Sequence, residues 1–251
     1  MIILKTSEQL KLMRKAGQIT AEALLVARDA IREGVSTKHV DTKVREFIES
    51  CNAYPSFLGY GGFPGSACIS LNNQVIHGIP SDKAIIREGD IVKVDVGARY
   101  RGYNGDSART FAVGKVSDEA LKLISVTEKS FYEALKVARP GNYLGDIGAA
   151  VERFVISYGL SVVKTYVGHG IGRDLHEEPE VPNYNTGRRG VQLRAGMTLA
   201  VEPMVNVGKE NVRVLRDGWT VVTSDGSLSA HYENTIAITD GDPIVLTDAE
   251  N

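Results

Sequence analysis

The sequence predicts an α/β fold of the α+β kind: a duplicated unit of two helices followed by strands, with halves of about 6–113 and 117–248 facing each other across a pseudo-two-fold axis. Three observations predict it. The order helix, helix, strands occurs twice along the chain. A shift of 107 positions lays Arg32, Gly34, Val40, Val44, Phe47 and Ser50 over Arg139, Gly141, Ile147, Val151, Phe154 and Ser157, and the same shift lays Arg87, Gly89, Val94 and Asp95 over Arg194, Gly196, Val201 and Glu202. Finally, Ile91 to Phe111 reads as a hairpin, because Val92, Val94 and Val96 alternate with Ile91, Lys93 and Asp95 before the turn residues of Tyr100 to Gly105.

Each element has a local cause. Thr6 and Gln9 stand at capping-box spacing, and Leu10, Met13, Gly17, Ala21 and Leu24 follow at helical intervals up to Gly34. Ser36 and Thr37 open a second helix, whose apolar positions are Val40, Val44, Phe47 and Ile48. Strand-like runs at Ser66 to Leu71 and Gln74 to His77 precede the hairpin. Ser117 caps a third helix carrying Leu121, Ile124, Phe131 and Leu135, which Pro140-Gly141 ends. Ile147, Val151, Phe154 and Val155 mark a fourth. Strand-like runs return at Ser161 to Val167, Met197 to Val205, Trp219 to Thr223 and Asn234 to Thr239.

Composition narrows the class of partner. At 251 residues, 43% hydrophobic and 24% charged, the chain has the makeup of an ordinary globular protein. A formal net charge of -2 gives no electrostatic argument for nucleic acid or an anionic membrane. MIILKTSEQL lacks the apolar core of a secretory signal, and no apolar run approaches the roughly 20 residues that cross a bilayer. The expected compartment is the cytoplasm. Cys51 and Cys68 form no metal or redox spacing and are expected to be free thiols.

The chemistry collects on acids. A turn centred between Tyr100 and Arg101 would set Asp95 directly opposite Asp106, a repulsive pair that requires a shared proton, a cation between them, or a bulge that turns one outward. The repeat makes Glu202, in the apolar run LAVEPMV, the counterpart of Asp95, and Glu233 likewise opens an apolar run. His169 lies in YVGHGIG, where flanking glycines are expected to let the backbone turn sharply and expose the imidazole. Four acids and one histidine have the composition of a two-cation site, with the charges of four carboxylates matched by two divalent ions. Mostly oxygen donors with one nitrogen suit Mn, Fe, Co or Zn, and the implied chemistry is hydrolysis.

These residues carry a resemblance spanning nearly the whole chain. CISLNNQVIHGIP, VDVGARYRGYNGDSARTF, GHGIGRDLHEEP, LAVEPM and HYENTIAIT resemble, in order and spacing, the motifs of the type I methionine aminopeptidases, metallopeptidases of family M24. The resemblance implies the pita-bread fold with a central antiparallel sheet, in a single catalytic domain over 1–251. It implies Asp95, Asp106, His169, Glu202 and Glu233 as metal ligands, with Asp106 and Glu233 bridging, and Glu202 as proton shuttle. By the same similarity His176 steadies the tetrahedral intermediate and His77 hydrogen-bonds the scissile amide, while Tyr60, Phe63, Cys68 and Trp219 form the methionine pocket with His77 and His176 at its rim. Asn72, Gln74 and Ser229 match positions that hold a monovalent cation in bacterial members.

The implied activity is removal of initiator methionine from peptide and nascent-chain N-termini, favoured by a small second residue, by a monomer with the ribosome as a further candidate contact. Phe57, Leu175 and Asn234 depart from the family pattern, the first two in the pocket lining. Only 30 residues separate Glu202 from Glu233, which leaves no room for the helical insertion of type II enzymes. Two alternatives stand beside this reading. One is a pita-bread peptidase cleaving before proline, which usually carries a large additional N-terminal domain; the other is a metal-free binding module, whose ligands would be lost.

Overall fold

Thr6 begins the first helix, α1 (Ser7–Ala30), through the reciprocal capping box with Gln9 that its spacing predicts. Ser36 caps α2 (Thr37–Ser50) and Ser117 caps α3 (Asp118–Val137), while Tyr143 leads into α4 (Leu144–Ser157). The computed structural model describes residues 1–249. Among them, no helix is long and apolar enough to cross a membrane.

The helices cover one face of a nine-stranded sheet. Its strands that matter here are β1 (Ala67–Leu71), β2 (Ile91–Tyr100), β3 (Tyr103–Ala112), β4 (Gly168–Gly170), β5 (Glu177–Val181), β6 (Thr198–Val201) and β7 (Glu233–Ala237). They pair antiparallel in the order β1-β2-β3-β7-β6-β4-β5. Val92, Val94 and Val96 of β2 pack against Ile19 and Leu24 of α1 and Val40 and Val44 of α2. Leu123 and Phe131 of α3, with Ile147 and Val151 of α4, pack against Leu199, Val201 and Ile236. Each such burial contributes about 1.5–3 kcal/mol, so alternation along β2 fixes which face meets the helices and sends Lys93 and Asp95 to the other.

The duplication is written in the backbone. Ser36 bridges Ile85, and Tyr143, 107 positions on, bridges Gln192, 107 positions beyond Ile85. Gly34 donates to Ile86 O (2.9 Å) as Gly141 donates to Leu193 O (3.3 Å), and Ile86 donates to Val35 O (2.9 Å) as Leu193 donates to Asn142 O (2.8 Å). Gly34 and Gly141 share a left-handed conformation, with φ of 82° and 92°.

Several boundaries differ from the sequence reading. The first helix ends at Ala30, four residues before Gly34. The strand-like run from Met197 breaks into β6 and Met204–Asn206 around Glu202 and Pro203, where proline has no N–H to offer a ladder. Of the run from Ser161, only Ser161–Val162 pairs as strand before β4. β5, in the charged stretch Glu177–Val181, went unread because it is an edge strand that buries only Pro179 and Val181 and leaves Glu178 and Glu180 exposed.

Candidate active site

The β2–β3 hairpin has a register different from the one expected. Its turn is the two-residue loop Arg101-Gly102, with φ of 47° and 84°, the doubly left-handed geometry that matches strand twist. Asp95 therefore pairs with Ala108, and Asp106 pairs with Gly97. The two aspartates are diagonal neighbours on one face rather than direct opposites. No bulge turns either away, since the ladder runs unbroken from Ile91↔Ala112 to Tyr100↔Tyr103.

That register aligns two rungs across the sheet. On the first, Asp95 pairs with Ala108 and Ala108 with Glu233, and Glu202 follows Val201, the residue that pairs with Asn234. On the second, Gly97 pairs with Asp106, whose N–H donates to Thr235 Oγ1, and Thr235 pairs with Ala200, which pairs with His169. Small side chains at Ala108, Ala200 and Gly97 leave space between the acids. Phe57 packs over Gly97, where a Cβ would stand 2.9 Å from its ring. All five expected side chains, Asp95, Asp106, His169, Glu202 and Glu233, line one cavity of about 160 Å³.

The glycines beside His169 act differently from the expectation. His169 lies within β4 and is buried, and a Cβ at Gly168 or Gly170 would stand 2.2 Å from Ala200 O or Glu178 O. They let neighbouring strands approach; they neither turn the chain nor expose the ring. His169 Nδ1 donates to Gly170 O (2.8 Å), which leaves Nε2 as the acceptor, 3.8 Å from Asp106 Oδ2 and 3.7 Å from Glu202 Oε1.

Burial shapes the electrostatics. It raises Asp106 to about 7 and holds Asp95, Glu202 and Glu233 well above the usual carboxylate range, where their mutual repulsion adds to it. Burial also lowers His169 to about 3 and His77 to about 4, with the neighbouring His176 pushing the same way. Both rings are neutral at physiological pH.

The expected pocket residues reach the same cavity. Phe63 and Trp219 meet edge to face at 5.2 Å, His77 lies 6.2 Å from Trp219, and Cys68, Phe57 and Leu175 complete the apolar wall. Tyr60 also lines it, and its hydroxyl hydrogen-bonds His176 Nδ1 at 2.7 Å, while the His176 ring stands 4.2 Å from that of His169. Asn234 faces away from Glu233, its Oδ1 accepting from Arg109 (2.8 Å), Ser107 (3.3 Å) and Thr247 (3.0 Å). Of the departures, only Phe57 and Leu175 touch the pocket. Behind the acids, the buried Lys93 amine donates to Asn72 O at 2.7 Å, occupying one acceptor at the position matched to a monovalent cation. Gln74 Oε1 accepts from Leu71 N (2.8 Å), and Ser229 Oγ donates to Val205 O (3.2 Å).

Sequence reasoning missed His231. It is 1% exposed and sits two residues before Glu233, a strand spacing that places both side chains on one side and was the available signal. Ligand atoms of Asp95, His231 and Glu233 lie within 4.8 Å of one another, as do those of Asp106, His169 and Glu233.

The profile of metallopeptidase family M24 matches residues 11–240. The chain belongs to metallopeptidase family M24. Within the family it is 52% identical over 247 residues to a methionine aminopeptidase of Clostridium acetobutylicum, covering 98% of this chain and 99% of that one. It superposes on the crystal structure of the Thermotoga maritima methionine aminopeptidase with a TM-score of 0.97 at 45% identity, covering 99% and 100% of the two chains. Against a Pyrococcus furiosus prolidase the TM-score is 0.77 at 25% identity, covering 99% of this chain and 66% of that one.

Membership of family M24 implies divalent metal ions, and the residues fit them. Asp95 Oδ1, Asp106 Oδ1 and Glu233 Oε1 are buried without a hydrogen-bond partner, which is costly for charged carboxylates unless a cation or a proton neutralises them. The two compact ligand groups have Glu233 in common.

Proposed function

We propose that this chain removes the initiator methionine from the N-termini of nascent proteins and peptides in the cytoplasm, preferring a small second residue. The observation that carries the reading is a single cavity whose acid and histidine floor adjoins an apolar wall of Phe57, Phe63, Cys68, Leu175 and Trp219. Such a wall suits a long, unbranched, polarizable side chain, and the thiol and rings offer favourable partners for a thioether. The names of the relatives support the same reading. Residues 1–251 would then act as one catalytic unit, with the two halves each supplying acids.

Asp95, Asp106, His169, Glu202 and Glu233 would hold two divalent cations, of Mn, Fe, Co or Zn, with Asp106 and Glu233 shared between them. When bound, such a pair lowers the pKa of a water and polarises the scissile carbonyl. Glu202, whose pKa burial raises well above the usual carboxylate range, would be the group that accepts a proton beside the scissile bond and returns it to the leaving amine. Tyr60 is hydrogen-bonded to His176 Nδ1; with the hydroxyl as donor, the His176 proton sits on Nε2, where it is available to the oxygen that gains charge at the scissile carbonyl. His77, also neutral and beside Trp219, hydrogen-bonds the scissile amide.

The test strips the protein with chelator, restores single metals, and compares a Met-Ala-Ser peptide with an Ala-Pro peptide. Release of methionine from the first, dependent on added metal, is expected. Cleavage of only the second would replace this reading with that of a proline-directed peptidase.

A further inference from the structure

His231 is the least accounted-for group at the centre. Its ring is buried, and neither Nδ1 nor Nε2 has a hydrogen-bond partner. The backbone around it is fixed: Met204 pairs with His231, whose N–H donates to Thr110 Oγ1 (3.0 Å), and Thr110 Oγ1 donates back to His231 O (2.8 Å). Tyr232 leaves on the opposite side, toward Tyr132 and over the Arg109 guanidinium, so the imidazole of His231 shares the cavity side with Glu233. Nε2 ends 3.8 Å from Glu202 Oε2 and 3.7 Å from Glu233 Oε2.

These separations are too long for hydrogen bonds and close to those of ligands around one ion. Two donors each about 2.1 Å from a cation lie about 3.0 Å apart at cis octahedral positions and about 3.4 Å apart in tetrahedral geometry, a few tenths of an ångström closer than these. His169, a ligand in the reading above, shows the same pattern, at 3.8 and 3.7 Å from Asp106 and Glu202. Glu202 thus points one oxygen at each histidine, Oε1 at His169 and Oε2 at His231. Each imidazole completes one of the two compact ligand groups.

We infer that His231 is a sixth side chain of the metal centre, with Nε2 a ligand on the Asp95 and Glu233 side, so that each cation carries one imidazole. The inference rests on the reading that this cluster holds two divalent ions. A second nitrogen donor leaves the net charge of the centre unchanged, since neutral imidazole adds none. It shifts the ligand set toward borderline metals and away from Mg or Ca.

The decisive measurement uses the protein loaded with two equivalents of Co(II) alone. Proton NMR is expected to show two exchangeable, hyperfine-shifted imidazole N–H resonances, of which His231→Gln retains one. Calorimetric titration of His231→Gln with Co(II) should weaken one of the two binding events by about tenfold or more. A single such resonance in the unsubstituted protein, or two wild-type binding events in His231→Gln, would overturn the assignment. The first result needs no variant, so it stands even where glutamine disturbs folding, which circular dichroism would reveal. Should the unsubstituted protein bind no Co(II), both this inference and the underlying reading fail; binding of two equivalents with one imidazole sinks only the role of His231.

Discussion

His176 has one nitrogen committed to Tyr60 and stands beside His169 without being placed among the ligands, which makes its role separable from metal retention. His176→Ala is expected to lower kcat by about 10²-fold or more with bound metal unchanged by elemental analysis, because a donor to developing charge acts mainly in the transition state. An unchanged kcat would remove that role. Asp106 differs, since its Oδ1 is buried without a hydrogen bond while Oδ2 faces His169. Asp106→Asn should abolish turnover and reduce metal stoichiometry while circular dichroism remains that of a folded protein. Full activity in this variant would refute the shared-ligand assignment.

At the scale of an element, β4 decides where His169 sits. Gly168 and Gly170 let β6 and β5 close on it, and neither position has room for a methyl group. Gly170→Ala is therefore expected to destabilise the protein by about 1–3 kcal/mol and to loosen metal binding by shifting His169. Urea unfolding followed by fluorescence checks the first part, and calorimetric metal titration the second. Stability equal to wild type would mean the strands separate without cost. β2 and β3 show how a turn propagates: two left-handed residues at Arg101-Gly102 set a register that brings Ala108 between Asp95 and Glu233. A turn shifted by one position on one strand would send Asp95 or Asp106 to the helix-covered face.

For the molecule as a whole, the buried acid cluster makes stability depend on pH. In the metal-free protein, burial raises the folded-state pKa of Asp106 to about 7 and holds Asp95, Glu202 and Glu233 up as well, so the folded state binds more protons than the unfolded one above about pH 4. The Asp106 part of that contribution is complete at low pH and lost as pH rises through about 7. Histidines work oppositely: His77, His169 and His231 are lowered to about 4, 3 and 3, chiefly by burial, so they favour folding increasingly up to the unfolded histidine value of about 6.5 and no further. Between about pH 7 and 8 the unfolded histidines are already mostly neutral, and Asp106, raised to about 7, supplies the falling contribution. Thermal melts in chelator should therefore give a falling Tm across that interval, each kcal/mol lost lowering it by about 2–4 °C. Saturating divalent metal should flatten the slope. Parallel slopes with and without metal would dissociate the acids from the ions.

The sequence by itself determined the helix pairs, the duplication and the five acid and histidine side chains that the fold brings to one cavity. Capping residues, apolar periods and the 107-residue offset are local or self-referential signals that survive without coordinates. Acids inside apolar runs at Asp95, Glu202 and Glu233 stand out because an unpaired buried charge is expensive wherever the strand lies. Only the tertiary structure decided the hairpin register, the packing role of the glycines beside His169, and the place of His231. Register depends on turn dihedrals, and one residue of slip exchanges the two faces. A histidine in an ordinary-looking segment becomes notable only when its burial, its missing partners and two carboxylates at 3.7 and 3.8 Å are known. Those facts come from chain segments distant in sequence meeting in space, which composition and periodicity do not encode.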